Sequence, residues 1–277
     1  MEIIKTKGKI IVYSPSDFDV VQTLSCGQIF RFTILGNKAK VCSQNKMAKL
    51  KFYADKIEIE TDDVDFFYTF FDFSTDYTKI KEQLSLDPLL KPAIQFAPGI
   101  RIINNDAYEM IISFIISANN NIKRIQKSIE YLCERFGKNM GEYYAFPTLD
   151  ELKTATVQDF VTAGLGYRAE QMFDTVQKLT MQDVEEMKNM PTAKIRQKLI
   201  SYKGIGEKVA NCILLFGFGA KDVFPVDTWI NKVYNDIYKT NETNRQKITR
   251  LFTEKYGNLA GYAQQYFFYY YRSNKGK

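Results

Sequence analysis

The sequence predicts an α+β protein, with a small antiparallel sheet in an N-terminal domain (residues 1–105, with flanking helices) and a larger all-helical body (residues 106–277). Three observations predict it. Short segments rich in β-branched and aromatic residues, several alternating in polarity, crowd the first sixty positions. The spacers between them are too short for crossover helices, so the strands must pair antiparallel. From about Asp62 onward the apolar spacing turns helical, with capping residues at the expected places.

Taken in order, strands are expected at 10–13, 28–34, 38–42, 50–53 and 56–60, separated by turn residues such as Gly36 and Asn37. The segment from Asp106 opens with an N-cap candidate and is apolar almost throughout, which predicts a buried helix. Asn119, Asn120 and Asn121 interrupt it; a helical period resumes over 122–136 and stops at Gly137. Further helices are expected at about 149–163, 168–180, 192–202, 207–217, 227–239, 243–255 and 258–272. No repeat period and no low-complexity linker are visible.

Composition excludes several chemistries. The chain has 277 residues, 45% hydrophobic and 25% charged, which is ordinary for a globular protein with a sizeable core. It contains no histidine, which removes Ser-His-Asp and Cys-His catalysis, HExxH zinc sites and the zinc deaminase motif. Acid–base or nucleophilic work therefore falls to Lys, Asp, Glu, Tyr or Cys. Cys26, Cys42, Cys133 and Cys212 are far apart with no CxxC pair, against a zinc ribbon or a four-cysteine iron–sulfur loop. The N-terminal residues lack the apolar core of a signal peptide, and no apolar run has the ~18 residues of a membrane span. The expected place is a reducing cytoplasm, with free thiols and no membrane partner.

The charge is unevenly distributed. Residues 1–100 carry 13 Lys/Arg against 13 Asp/Glu, so the net charge of +6 belongs entirely to residues 101–277. A basic second part suits a polyanion. Aromatics make up 14% of the chain; most must pack the core, but on a basic surface they also stack on bases.

The most informative segment is 199–227. A helix from about 193 leads into Gly204-Ile205-Gly206, and a second helix follows to about 217, with Lys208 in its first turn. This is a helix-hairpin-helix pattern. Its turn N–H groups and the positive end of the second helix suit a backbone phosphate, without reading bases. Alone, the turn reads as a C-cap glycine, Lys208 as a solvated or phosphate-binding lysine, and Asp227 as an N-cap. In combination they place a phosphate grip, an amine able to act as a nucleophile and a rigidly held carboxylate in one region.

These residues resemble the helix-hairpin-helix, Gly/Pro-rich loop and aspartate signature of the DNA glycosylase superfamily, whose lysine falls on Lys208 and whose aspartate falls on Asp227. Four more segments resemble the 8-oxoguanine branch: the glycine loop at Cys26 to Arg31, the asparagine-rich loop at Ser117 to Arg124, the wedge segment at Gly164 to Arg168 and the C-terminal helix at Gly261 to Phe268. Similarity runs with gaps from about residue 10 to residue 272.

The resemblance implies a bifunctional glycosylase and lyase of base-excision repair that flips 8-oxoguanine from duplex DNA, where it pairs with cytosine. It implies Lys208 and Asp227 as catalytic residues, with Gly27, Cys212, Gln264 and Phe268 meeting the lesion base. Asn119, Arg124, Tyr167 and Arg168 would face the opposite base and wedge the gap, and Gly204, Ile205 and Gly206 would hold phosphate. No cofactor or metal is required, and the working unit is expected to be a monomer. Trp229 departs from the pattern, standing where relatives commonly carry histidine; its indole N–H can still donate to a phosphate. Two alternatives stay open: a glycosylase of another damaged-base preference, which Lys208 disfavours, and a non-catalytic DNA-binding module.

Overall fold

A computed structural model describes residues 1–275. The first lobe is a six-stranded antiparallel sheet built from β1 (Glu2–Thr6), β2 (Lys9–Tyr13), β3 (Phe32–Leu35), β4 (Lys38–Ser43), β5 (Lys46–Phe52) and β6 (Lys56–Thr61), in the order β1-β2-β6-β5-β4-β3. Alternation puts Ile10, Val12, Val41, Ala48, Leu50, Ile57 and Ile59 on one buried face. Phe67 and Phe70 of α2 (Val64–Phe70) cover that face together with Phe18, Phe71 and Phe73. Within this lid the Phe18 ring lies 5.2 Å from Phe71 and 5.1 Å, edge-on, from Phe73.

Two expectations change here. The edge strand β1 was not legible, because its residues are almost all exposed and carry no alternation. The strand expected at 28–34 starts only at Phe32. The backbone before it turns through Gly27 at φ +81°, and the side chains of Gln28 and Arg31 are buried on partners far along the chain, outside any ladder.

The rest is helical: α1 (Val20–Ser25) lies between β2 and β3, and α3 (Tyr77–Leu84) and α4 (Lys91–Phe96) follow α2. The body then comprises α5 (Ala107–Ser117), α6 (Ile122–Phe136), α7 (Leu149–Lys153), α8 (Val157–Thr162), α9 (Arg168–Lys178), α10 (Met181–Lys188), α11 (Thr192–Ile200), α12 (Glu207–Gly217), α13 (Thr228–Tyr238), α14 (Arg245–Tyr256) and α15 (Ala260–Lys275). Asp106 and Asp227 cap α5 and α13 as their sequence positions predict, and Asn121, from the run that interrupts the helical period, caps α6. The single helix expected at 149–163 is two, because Thr156 and Asp159 form a capping box that restarts the chain. The unanticipated α10 opens with the same device at Thr180 and Asp183.

Helix α5 is buried along its whole length and forms the axis of the body, packed against α12. A Cβ on Gly217 would stand 3.0 Å from Met110 Cβ and 3.2 Å from Ala107 Cα, so any larger residue there would push α5 and α12 apart by a few tenths of an ångström. The helical core also takes in Cys26 and Phe30 from the first lobe and Tyr77, Leu84, Leu90 and Ile102 from the connecting segment.

Buried polar side chains join the lobes. Arg101, fully buried, donates from Nε to Phe71 O (3.0 Å), from Nη1 to Asp17 O (3.0 Å) and from Nη2 to Thr75 O (2.9 Å) and Asp72 O, over the Tyr77 ring at 4.0 Å. Gln28, also fully buried, donates from Nε2 to Thr23 O (2.8 Å) and Arg101 O (2.7 Å) and accepts at Oε1 from Ile103 N (2.9 Å). Asn105 donates from Nδ2 to the carbonyls of Gln28 (3.2 Å) and Phe216 (3.3 Å), the latter in α12.

Replacing Gln28 by the near-isosteric Leu strands these buried partners. The expected loss is about 2–4 kcal/mol of unfolding free energy in a urea titration. An unchanged midpoint would mean that Gln28 is not a structural tie.

Candidate active site

The hairpin forms as the sequence predicts: α11 runs to Ile200, the chain turns through Gly204 (φ +84°), and α12 starts at Glu207 with Gly206 as N-cap. Gly206 has no side chain to cap the helix, so the first-turn N–H groups of α12 face outward for an anion. Ile205 is buried and anchors the turn to the core. Lys208 is half-buried, with its Nζ 5.8 Å from the Phe114 ring centroid.

One helical turn on from Lys208, Cys212 is buried beneath it. Burial pushes its thiol up from the ordinary value; the charge and hydrogen bond of Lys208 pull the other way, and the Asp227 carboxylate reinforces the rise. Both the Lys208 amine and the Asp227 carboxylate thus act on this thiol, whose net shift is upward. Asp227 is fixed by its capping role, its Oδ1 accepting from Ile230 N at 2.8 Å.

Lys208 and Asp227 face a cleft of about 480 Å³. Phe30, Phe114, Trp229 and Phe268 supply its aromatic walls, and Gly27, Lys123 and Arg272 stand on it as well. That volume suits a single extruded nucleoside. Gly27 and Phe268 come together although 241 positions separate them: a Cβ on Gly27 would stand 3.2 Å from Phe268 Cε1, and the positive φ independently excludes a side chain there. Gln264, one turn before Phe268 on α15, is buried outside the cleft lining, its Oε1 accepting from Gln265 Nε2 at 3.2 Å.

Of the residues expected at the opposite base, Asn119, Arg124, Tyr167 and Arg168, none lines the cleft, although Asn120 to Lys123 of the asparagine loop do. Asn119 is exposed in the left-handed region (φ +49°), Arg124 is exposed on the first turn of α6, and Tyr167 is 67% exposed at the start of α9. Arg168, expected to face the opposite base, is buried on backbone carbonyls instead of standing free. It is 5% exposed, its Nε donating to Leu165 O at 3.1 Å and its Nη1 to Ala118 O, so it ties the Tyr167 turn to the asparagine loop. Burial holds its guanidinium below the usual value; Tyr167 opposes that shift and the nearby Arg124 charge adds to it.

Sequence reasoning missed Phe114, Lys123 and Arg272. Nothing in an apolar helix distinguishes Phe114 from its core neighbours. Arg272 did carry a signal, since it lies four residues beyond Phe268 on the same helix face.

Comparison with known proteins bears on this arrangement. Residues 112–258 match the family model described as HhH-GPD superfamily base excision DNA repair protein, and residues 10–111 match that described as 8-oxoguanine DNA glycosylase, N-terminal domain. The N-glycosylase/DNA lyase of Saccharomyces cerevisiae is 34% identical over 179 residues, covering 58% of this chain and 47% of that one. The N-glycosylase/DNA lyase OGG1 of Arabidopsis thaliana is 30% identical over 200 residues, covering 66% and 54%. The chain thus spans about half the length of these two relatives. The 8-oxoguanine glycosylase/lyase of Clostridium acetobutylicum, solved with dsDNA containing cytosine opposite 8-oxoG, superposes with a TM-score of 0.93 and 35% identity over 99% of both chains.

The cap at Asp227 yields a test of its structural share. Asp227→Ala should lose about 1 kcal/mol of stability, while Asp227→Asn, which still caps, should melt within a degree or two of the wild type. Equal losses in both variants would show that the negative charge, and not the cap, stabilises α13.

Proposed function

The chain belongs to the HhH-GPD superfamily of base excision DNA repair proteins, and from that premise we propose that it excises 8-oxoguanine lying opposite cytosine in duplex DNA and then nicks the strand. The observation that carries this reading is the convergence of Lys208, Asp227, Gly27 and Phe268 on one base-sized cleft beside the hairpin. We take the working unit to be one chain on duplex DNA in the cytoplasm.

The roles follow from position. The hairpin turn at Gly204, Ile205 and Gly206 holds a backbone phosphate near the lesion, where N–H groups and the dipole of α12 both favour an anion. Tyr167 wedges into the stack as the lesion nucleotide leaves it, which costs roughly a few kcal/mol. Arg124 and Asn119 then meet the orphaned cytosine, with Arg168 bracing the loop beneath them. In the cleft the extruded base stacks on Phe268, with the Gly27 backbone at its imidazole edge; Cys212 and Gln264, buried behind the lining, reach its other face and its pairing edge only if the base displaces that lining.

The neutral amine of Lys208 attacks C1′, and the base departs with the electron pair of its glycosidic bond. The Asp227 carboxylate offsets positive charge on the sugar as that bond breaks and accepts the proton from the attacking amine. Ring opening gives an imine between Lys208 and C1′. That imine acidifies C2′, and loss of a C2′ proton expels the 3′ phosphate by β-elimination. None of these steps calls for a metal or an organic cofactor.

Two measurements test the reading. Lys208→Gln should abolish both base release and the borohydride-trapped enzyme–DNA adduct while still binding the damaged duplex; normal adduct formation would sink the assignment. Arg124→Ala should narrow the ratio of excision opposite cytosine to excision opposite adenine by roughly tenfold, one good base contact's worth. Uniform loss against all four opposite bases would make Arg124 a phosphate contact.

A further inference from the structure

Arg272 is a charged residue on the cleft that the excision chemistry leaves without a task. It stands on α15 one turn beyond Phe268, and its guanidinium lies 5.0 Å from the Phe268 ring centroid and 6.0 Å from that of Tyr269. Its Nη2 donates to the carbonyl of Ser25, the last residue of α1. That carbonyl lies at the negative end of a helix with no basic residue in its own last turn. The capping cation comes from 247 positions further along the chain. The other terminal nitrogen, Nη1, is shielded from solvent and has no hydrogen-bond partner among the described residues. It lies beside the Gly27 turn, where a Cβ would stand 3.8 Å from it.

One guanidinium thus bonds the end of α1, two residues before Gly27, and lies against the ring of Phe268. These are the two groups proposed to meet the extruded base. Burying a cationic nitrogen without an acceptor is unfavourable, and such groups call for a specific explanation. The bond from Nη2 to the Ser25 carbonyl and the contact with the Phe268 ring give this buried side chain a positioning role. Methionine or leucine would pack on Phe268 equally well but would leave the Ser25 carbonyl uncapped.

We propose that Arg272 is a positioning residue for lesion recognition: it clamps the Gly27 turn to the Phe268 ring and so sets the width of the slot that accepts the oxidised base. This inference rests on the lesion-pocket reading above. Arg272 does not act on the sugar, so its influence falls on base excision and not on cleavage of a sugar that has already lost its base.

The experiment compares two duplexes under single-turnover conditions, one with 8-oxoguanine opposite cytosine and one with a preformed abasic site opposite cytosine. Arg272→Met should lower the ratio of excision rate to abasic-site nicking rate by roughly 10- to 100-fold, the scale of a misplaced substrate. Arg272→Lys keeps the cation and one donor for Ser25, and should recover most of that loss. Equal losses on both duplexes, no loss on either, or a lysine variant as poor as the methionine variant would each overturn the proposal. The abasic duplex also reports folding, since an unfolded variant nicks neither substrate. A wild-type protein that nicks the abasic duplex but leaves 8-oxoguanine untouched would overturn the substrate reading and this inference together; an active wild type with a normal Arg272→Met ratio overturns this inference alone.

Discussion

The geometry of the cleft depends on one buried amide. Gln28 is enclosed at the seam of the two lobes, and both ends of its side chain are used on the backbone of residues 23, 101 and 103. Its own carbonyl is held by Asn105, whose amide also reaches Phe216 near the end of α12. Gly27 is therefore positioned relative to the lysine helix by a chain of hydrogen bonds in a dry interior. Such bonds are costly to break singly, because each release strands a buried partner. Arg101 fixes the neighbouring seam by the same logic, with its guanidinium spent on four carbonyls.

On that frame the cleft sets charged groups against aromatic walls. Lys208 lies near the face of Phe114, which itself stacks on Phe216 and meets Phe30 edge-on. Apolar walls exclude water and strengthen any electrostatic interaction inside the cleft. Cys212, kept protonated by its burial, contributes a polarizable surface without competing as a nucleophile. Lys123, Arg124 and Arg272 give the surroundings a positive cast, which suits a polyanion whose lesion must be pulled from its stack.

Much of this was legible before any coordinates. Lys208, Asp227, Gly27 and Phe268 were all named as site residues, and the cleft gathers all four. The helix starts at Asp106 and Asp227 follow from their caps, and the hairpin follows from its glycines. The misses share a cause. The strand expected at 28–34 reads well by propensity, but Gln28 and Arg31 answer to partners about 70 and 110 positions away. Arg168 looks like a surface arginine in its own segment, and its burial depends on a carbonyl 50 positions earlier. Arg272 finds its acceptor 247 positions back.

The sequence by itself determined the element order, most of the capped helix starts and the hairpin. Those features depend on side chains within about four positions of one another, a range over which period and capping chemistry are decisive. Only the tertiary structure decided which polar side chains are buried, that Phe268 closes on Gly27, and that Arg272 joins α1 to α15. Whether a buried donor is tolerable depends on acceptors delivered by distant segments, and no local pattern records where those segments will meet.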